Sequence, residues 1–118
     1  MQKSFNLLTG LFLLGTAAIS LFATDWLTGV YINQDKKSFM DEVIFCENGK
    51  AYAGMAPRKY EIVDKGDEKL IVLNSNGKFT FKISENKDEL FPADKFTKDW
   101  FTTATLKLDP KRKDKCNW

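Results

Sequence analysis

The segment Phe79, Thr80, Phe81, Lys82, Ile83, Ser84 alternates residue by residue between apolar and polar. A two-residue repeat sends Phe79, Phe81 and Ile83 to one face and Thr80, Lys82 and Ser84 to the other, so the strand has one buried side and one wet side. Similar short runs recur at 26–33, 41–47, 50–55, 59–64, 70–74 and 100–108, separated by turn residues. A spacing of roughly 8–12 residues between such runs points to an all-β domain. Asn48-Gly49 is the strongest hairpin signal in the chain, since both residues tolerate positive φ. Lys65-Gly66-Asp67 and Ser75-Asn76-Gly77 offer two further turns. Ala56-Pro57-Arg58 reads as a break between strands, and Asp109-Pro110 as a stop.

The polar stretch 85–99 interrupts this rhythm. Pro92 suits the first turn of a helix, and 93–99 is expected to form one short helix with Phe96 facing inward. The expected fold is a small antiparallel meander of seven or eight strands. Closure into a barrel would remove its exposed edges. Trp26, Tyr31, Phe45, Phe79, Phe81 and Trp100 are the expected barrel core.

The first residues belong to a different pattern. Lys3 is the one charge before the uncharged apolar run 7–23, which ends at a small residue, Ala23, before Asp25. A basic start, an apolar middle and a small residue at the exit form a secretory signal. The run is short for a membrane span and holds Gly10, Gly15, Thr9, Thr16 and Ser20. The expected organisation is a signal peptide at 1–23 and one domain at 24–118, with no stable membrane span after cleavage. The protein is then periplasmic or secreted.

Export bears on Cys46 and Cys116, the two cysteines of the chain. An even count in an oxidising compartment reads as a disulfide. It would close a loop of about 70 residues, for which chain-entropy arguments give roughly 4 kcal/mol. The alternative is a pair of free thiols acting as ligands or as a redox couple, which neither a CxxC spacing nor any His supports.

The composition narrows function. The chain has 18 basic and 16 acidic residues with the signs interspersed, which argues against a nucleic-acid partner. The basic tail 111–115 reads as a solvated terminus. With no His, the commonest general base and zinc ligand are missing, as is every Ser-His or Cys-His pair. No phosphate-cradling loop or calcium loop is present. The chain therefore reads as a non-enzyme without cofactor, metal or catalytic residues. The stretch 52–60 combines aromatics, a Met and two adjacent cations, types enriched at interfaces. It makes Tyr52, Met55, Arg58, Lys59 and Tyr60 the candidate binding surface.

The opening residues Asp25-Trp26-Leu27-Thr28-Gly29-Val30-Tyr31 resemble the first-strand region of small lipocalin-like (calycin) domains of bacterial envelope proteins. Phe45 with Asn48-Gly49-Lys50-Ala51-Tyr52 is similar to their second hairpin. The resemblance covers about a third of the mature chain. It implies a non-enzymatic binding protein of the cell envelope, taking a small apolar or amphipathic ligand, with Trp26 plugging the barrel base. Periplasmic inhibitors of c-type lysozyme are similar in joining an early strand cysteine to a C-terminal one, but their Ser-x-Ser-Gly loop is absent here. The other reading is a protein-binding module, such as an inhibitor, immunity or accessory protein, with a filled barrel and an envelope protein as partner.

Overall fold

The computed structural model describes residues 26–118. The signal expected at 1–23 lies outside the described residues, as do Thr24 and Asp25. Eight antiparallel strands form a closed barrel in chain order: β1 (Gly29–Asn33), β2 (Glu42–Phe45), β3 (Lys50–Ala53), β4 (Ala56–Lys65), β5 (Glu68–Asn74), β6 (Lys78–Ile83), β7 (Glu89–Pro92) and β8 (Leu106–Asp109). Closure comes from β1, which pairs with β2 through Gly29↔Phe45 and with β8 through Asn33↔Leu106. One short helix, α1 (Lys95–Trp100), lies between β7 and β8.

The turns follow local chemistry. Glu47–Gly49 makes a single 3-10 turn in which Asn48 (φ 62) and Gly49 (φ 72) supply the left-handed conformations of the β2–β3 hairpin. Gly66 (φ 66) leads the two-residue loop between Lys65 and Glu68. Between β5 and β6, the Ser75 N–H donates to the Gly77 carbonyl (2.8 Å).

Three sequence expectations are corrected. The break at 56–58 is the start of β4, and the turn lies earlier, at Gly54-Met55. A two-residue loop makes Ala53 and Ala56 the hydrogen-bonded pair, so Tyr52 and Pro57 form the non-bonded one. Proline's missing N–H therefore faces the side on which β5 has not yet joined. Pro92 ends the strand β7 and pairs with Phe81, and does not open the helix. That role falls to Asp94, whose carboxylate accepts from the Thr97 N–H (2.9 Å). The strand expected at 100–108 shortens to β8, because Trp100 closes α1 and 101–105 is a connection.

The interior is filled at its waist. Tyr31, Phe45, Ile71, Leu73, Phe81, Leu90 and Leu106 are all fully buried, and Tyr31 and Tyr60 meet Phe45 edge-on at 5.7 and 5.1 Å. At one end, here the base, Trp26 packs edge-on against Tyr60 at 5.7 Å. The Tyr60 hydroxyl lies 2.6 Å from the Leu27 carbonyl and 2.5 Å from that of Cys46, and its single proton is shared between them. Burial pushes the Tyr60 hydroxyl's pKa up; the Leu27 bond opposes this, while Glu47 and Tyr31 add to it. Tyr31 donates to the Lys87 carbonyl (2.5 Å), and burial, reinforced by Asp88, raises its pKa to about 12.

Cys46 and Cys116 are joined by a disulfide across 70 positions of sequence. It ties the irregular tail after β8 to the β2–β3 hairpin. Arg112 adds a two-pronged pair to Glu42 (2.6 and 3.1 Å) and a contact to Asp114 (2.6 Å).

Candidate functional site at the barrel mouth

The end opposite Trp26 carries the β1–β2 loop (34–41), the Gly54-Met55 turn, the β5–β6 turn and the connection containing α1. The β1–β2 loop, the Gly54-Met55 turn and the α1 connection bring apolar side chains to one opening. Phe39 is 75% exposed, Met55 88%, Trp100 65% and Phe96 40%. Four large apolar groups from three separate segments thus face water around a cavity of about 490 Å3 floored by Met40 and Phe79. Contiguous exposed apolar surface of this kind marks a site of interaction, and the volume lies in the range of small-molecule pockets.

Local structure explains why these groups converge. Phe96 and Trp100 are four residues apart on α1 and share one helix face. The helix is pinned by buried Thr97, whose Oγ1 accepts from the Thr80 N–H on β6 (2.7 Å). Phe96 then stacks on Phe79 at 5.4 Å between ring centres. Gly77 makes room for it, since a Cβ there would lie 2.7 Å from the Phe96 ring.

The β1–β2 loop is held by Asn33, a fully buried side chain. Its Nδ2 donates to the Met40 carbonyl (3.0 Å), and its Oδ1 accepts from the Asp35 N–H (3.0 Å) and the Thr102 hydroxyl (3.1 Å). Ser38 Oγ donates to the Phe101 carbonyl (3.1 Å). Phe39 is therefore exposed on an anchored loop.

Met55 sits at a hairpin tip with φ 61, beside Gly54 with φ 59. Left-handed backbone is costly for a residue with a long side chain, and Asn or Gly is the usual choice there. A strained, fully exposed Met is the kind of outlier that points to function.

Two polar groups face the same opening. Arg58 shares the inward parity of Tyr60 along β4 and pairs with buried Ala51. Its Nε donates to the Ala53 carbonyl (3.2 Å), which leaves its remaining N–H groups free to meet a guest. Among the described residues it has no carboxylate partner. Ser75, 7% exposed, lines the opening and its hydroxyl makes no hydrogen bond within the described residues. No family model, curated protein or solved structure matches this chain.

The stretch 52–60 is thus divided by strand geometry. Met55 and Arg58 reach the mouth, while Tyr52 and Lys59 point outward from the barrel wall. Tyr60 is corrected from surface to core: it is 4% exposed, because inward parity on β4 places it among Trp26 and Phe45. Of the expected core, Tyr31, Phe45, Phe79 and Phe81 are buried and Trp26 is partly buried against it. Trp100 is the second correction, since the last turn of α1 carries it outside. Phe96 also lies at the rim, and Thr97 takes the inward position.

Phe39, Met40, Phe96 and Ser75 were missed as site residues by sequence reasoning. The Phe96/Trp100 spacing on a helix is the local signal that could have found the missed Phe96. Among the described residues no group of three His, Cys, Asp or Glu is placed to hold a metal, and no helix is long and apolar enough to cross a membrane.

Proposed function

We propose that this is an exported, non-enzymatic binding protein that takes an amphipathic small molecule with an anionic head at the mouth of its barrel. The observation that carries this reading is the convergence of Phe39, Met55, Phe96 and Trp100 on one opening with Arg58 in its wall. The aromatic and thioether groups would cover an apolar body. The Arg58 guanidinium would take a carboxylate or similar head, with the Ser75 hydroxyl as a second donor. Export is supported by the 1–23 pattern and by the disulfide, a bond of oxidising compartments. Kinship with lipocalin-like domains stays part of the proposal, resting on 25–31 and 45–52. The filled waist favours a ligand held at the rim of the barrel over one held within it.

Titration with lauric acid, followed by tryptophan fluorescence, tests the reading. Saturable binding is expected, with Trp100 as the reporting ring. Arg58→Gln should weaken laurate binding by about tenfold, equivalent to about 1.4 kcal/mol, and leave dodecanol binding unchanged. Absence of saturable binding, or equal loss for acid and alcohol, would refute it.

The filled waist also favours a second reading, in which the mouth receives an apolar side chain of a protein partner. Capture of an envelope protein that Phe39→Ser/Trp100→Ser abolishes, with no response to laurate, would select it.

A further inference from the structure

The outer wall of the barrel carries a second concavity, which adjoins the mouth along Arg58, Ser75 and Asn76. Strand register sets Lys50 opposite Lys59, Lys59 opposite Asn74, and Asn74 opposite Lys78. These four residues form one cross-strand row, three strand spacings long, or about 14 Å. Like charges directly opposite each other, as at Lys50 and Lys59, are destabilising. Among the described residues Lys59 and Lys78 have no carboxylate partner. The Lys50 ammonium bonds the Trp118 carbonyl oxygen and sits 5.4 Å from the centre of the Trp118 ring. The tail thereby lays an aromatic ring beside the row. Lys59, Lys78, Asn74, Asn76 and Trp118 line one concavity of about 600 Å3.

We infer that this concavity is a binding site for an acidic saccharide. Each component matches that chemistry. Lys59 and Lys78 supply point charges for carboxylates. The side-chain amides of Asn74 and Asn76 make no hydrogen bond within the described residues. An amide both donates and accepts, as hydroxyl groups do. The Trp118 ring offers an apolar face to the C–H face of a pyranose.

The other polyanions fit less well. The part of β4 beside this concavity that β5 does not pair is centred on Pro57, which has no N–H to offer an added acidic peptide strand. Nucleic-acid binding rests on many phosphate contacts, whereas three cations without a carboxylate partner among the described residues, Arg58, Lys59 and Lys78, stand here.

Calorimetric titration with tetragalacturonate, beside neutral maltotetraose, phosphatidylglycerol vesicles and a single-stranded DNA oligonucleotide, tests the inference. Tetragalacturonate should bind saturably, with affinity falling as added salt shortens the screening length. Lys59→Gln/Lys78→Gln should weaken it by at least about tenfold. Trp118→Ala should weaken it too. The lysine variant should still bind lauric acid like the wild type, so failure here and failure of the mouth reading are separable. Equal binding of maltotetraose, unchanged binding by the lysine variant, or heat from vesicles or DNA with none from tetragalacturonate would overturn it.

Discussion

Removing the disulfide by Cys46→Ala/Cys116→Ala tests how this small barrel is held. The bond spans 70 positions, and the loop-closure entropy it removes from the unfolded chain corresponds to about 4 kcal/mol. Small domains are stable by about 5–15 kcal/mol in total, so the loss is a large share. Other attachments of the tail do not replace it. The Arg112 fork to Glu42 and the Lys50–Trp118 contact are at the surface, where ion pairs contribute about 0–1 kcal/mol. The native barrel should persist, because the strands end at Asp109 and the Cys46 N–H still donates to the Lys50 carbonyl (2.8 Å). Urea unfolding of both proteins, followed by far-UV circular dichroism and tryptophan fluorescence, measures the difference. The expected result is an unchanged native spectrum, a loss of about 4 kcal/mol and a melting temperature lower by roughly 15–30 °C. A loss below about 1 kcal/mol would refute the entropic account.

Tyr60→Phe should cost about 1–3 kcal/mol in the same assay, because the Leu27 and Cys46 carbonyls lose their shared donor while the rings stay packed. Met55→Gly should raise stability by about 0.5–1 kcal/mol by relieving the left-handed backbone, and should weaken laurate binding in the fluorescence titration. Stability should fall in alkali. Tyr31 keeps its proton up to about 12 in the fold, whereas an unperturbed tyrosine loses it near 10.0. The unfolded chain therefore releases the proton first, and the contribution is complete below pH 10 and lost between 10 and 12. Melting curves of wild type and Tyr31→Phe across that range should converge as the pH rises, by about 1–2 kcal/mol once solvent screening is allowed for.

Much of the barrel was legible because its signals are local. Phe79 to Ile83 alternates, Asn48-Gly49 and Asn76-Gly77 announce their turns, and a pair of cysteines admits one bond. Pro57 misled because a proline is tolerated in a strand only when its missing N–H faces an unpaired side, and that depends on where β5 joins. The strand β7 was hidden because Glu89–Pro92 is four residues long, with charged neighbours before it and a proline within it. Trp100 and Tyr60 exchanged roles for a related reason: helix end and strand parity, not residue type, decide which ring is inside. The mouth was the least legible part. Phe39, Ser75 and Phe96 meet only after the sheet closes, and no window of sequence contains them together.

Asn33 has a consequence for any guest at the mouth. One amide makes three hydrogen bonds, two within the Phe39 loop to Asp35 and Met40 and one from Thr102 in the segment that follows α1. The Phe39 side of the rim is anchored before a ligand arrives, so little conformational freedom of that loop is left to lose on complex formation. Such a rim should favour guests that match its existing outline and discriminate by shape, where a slack one would mould itself to many.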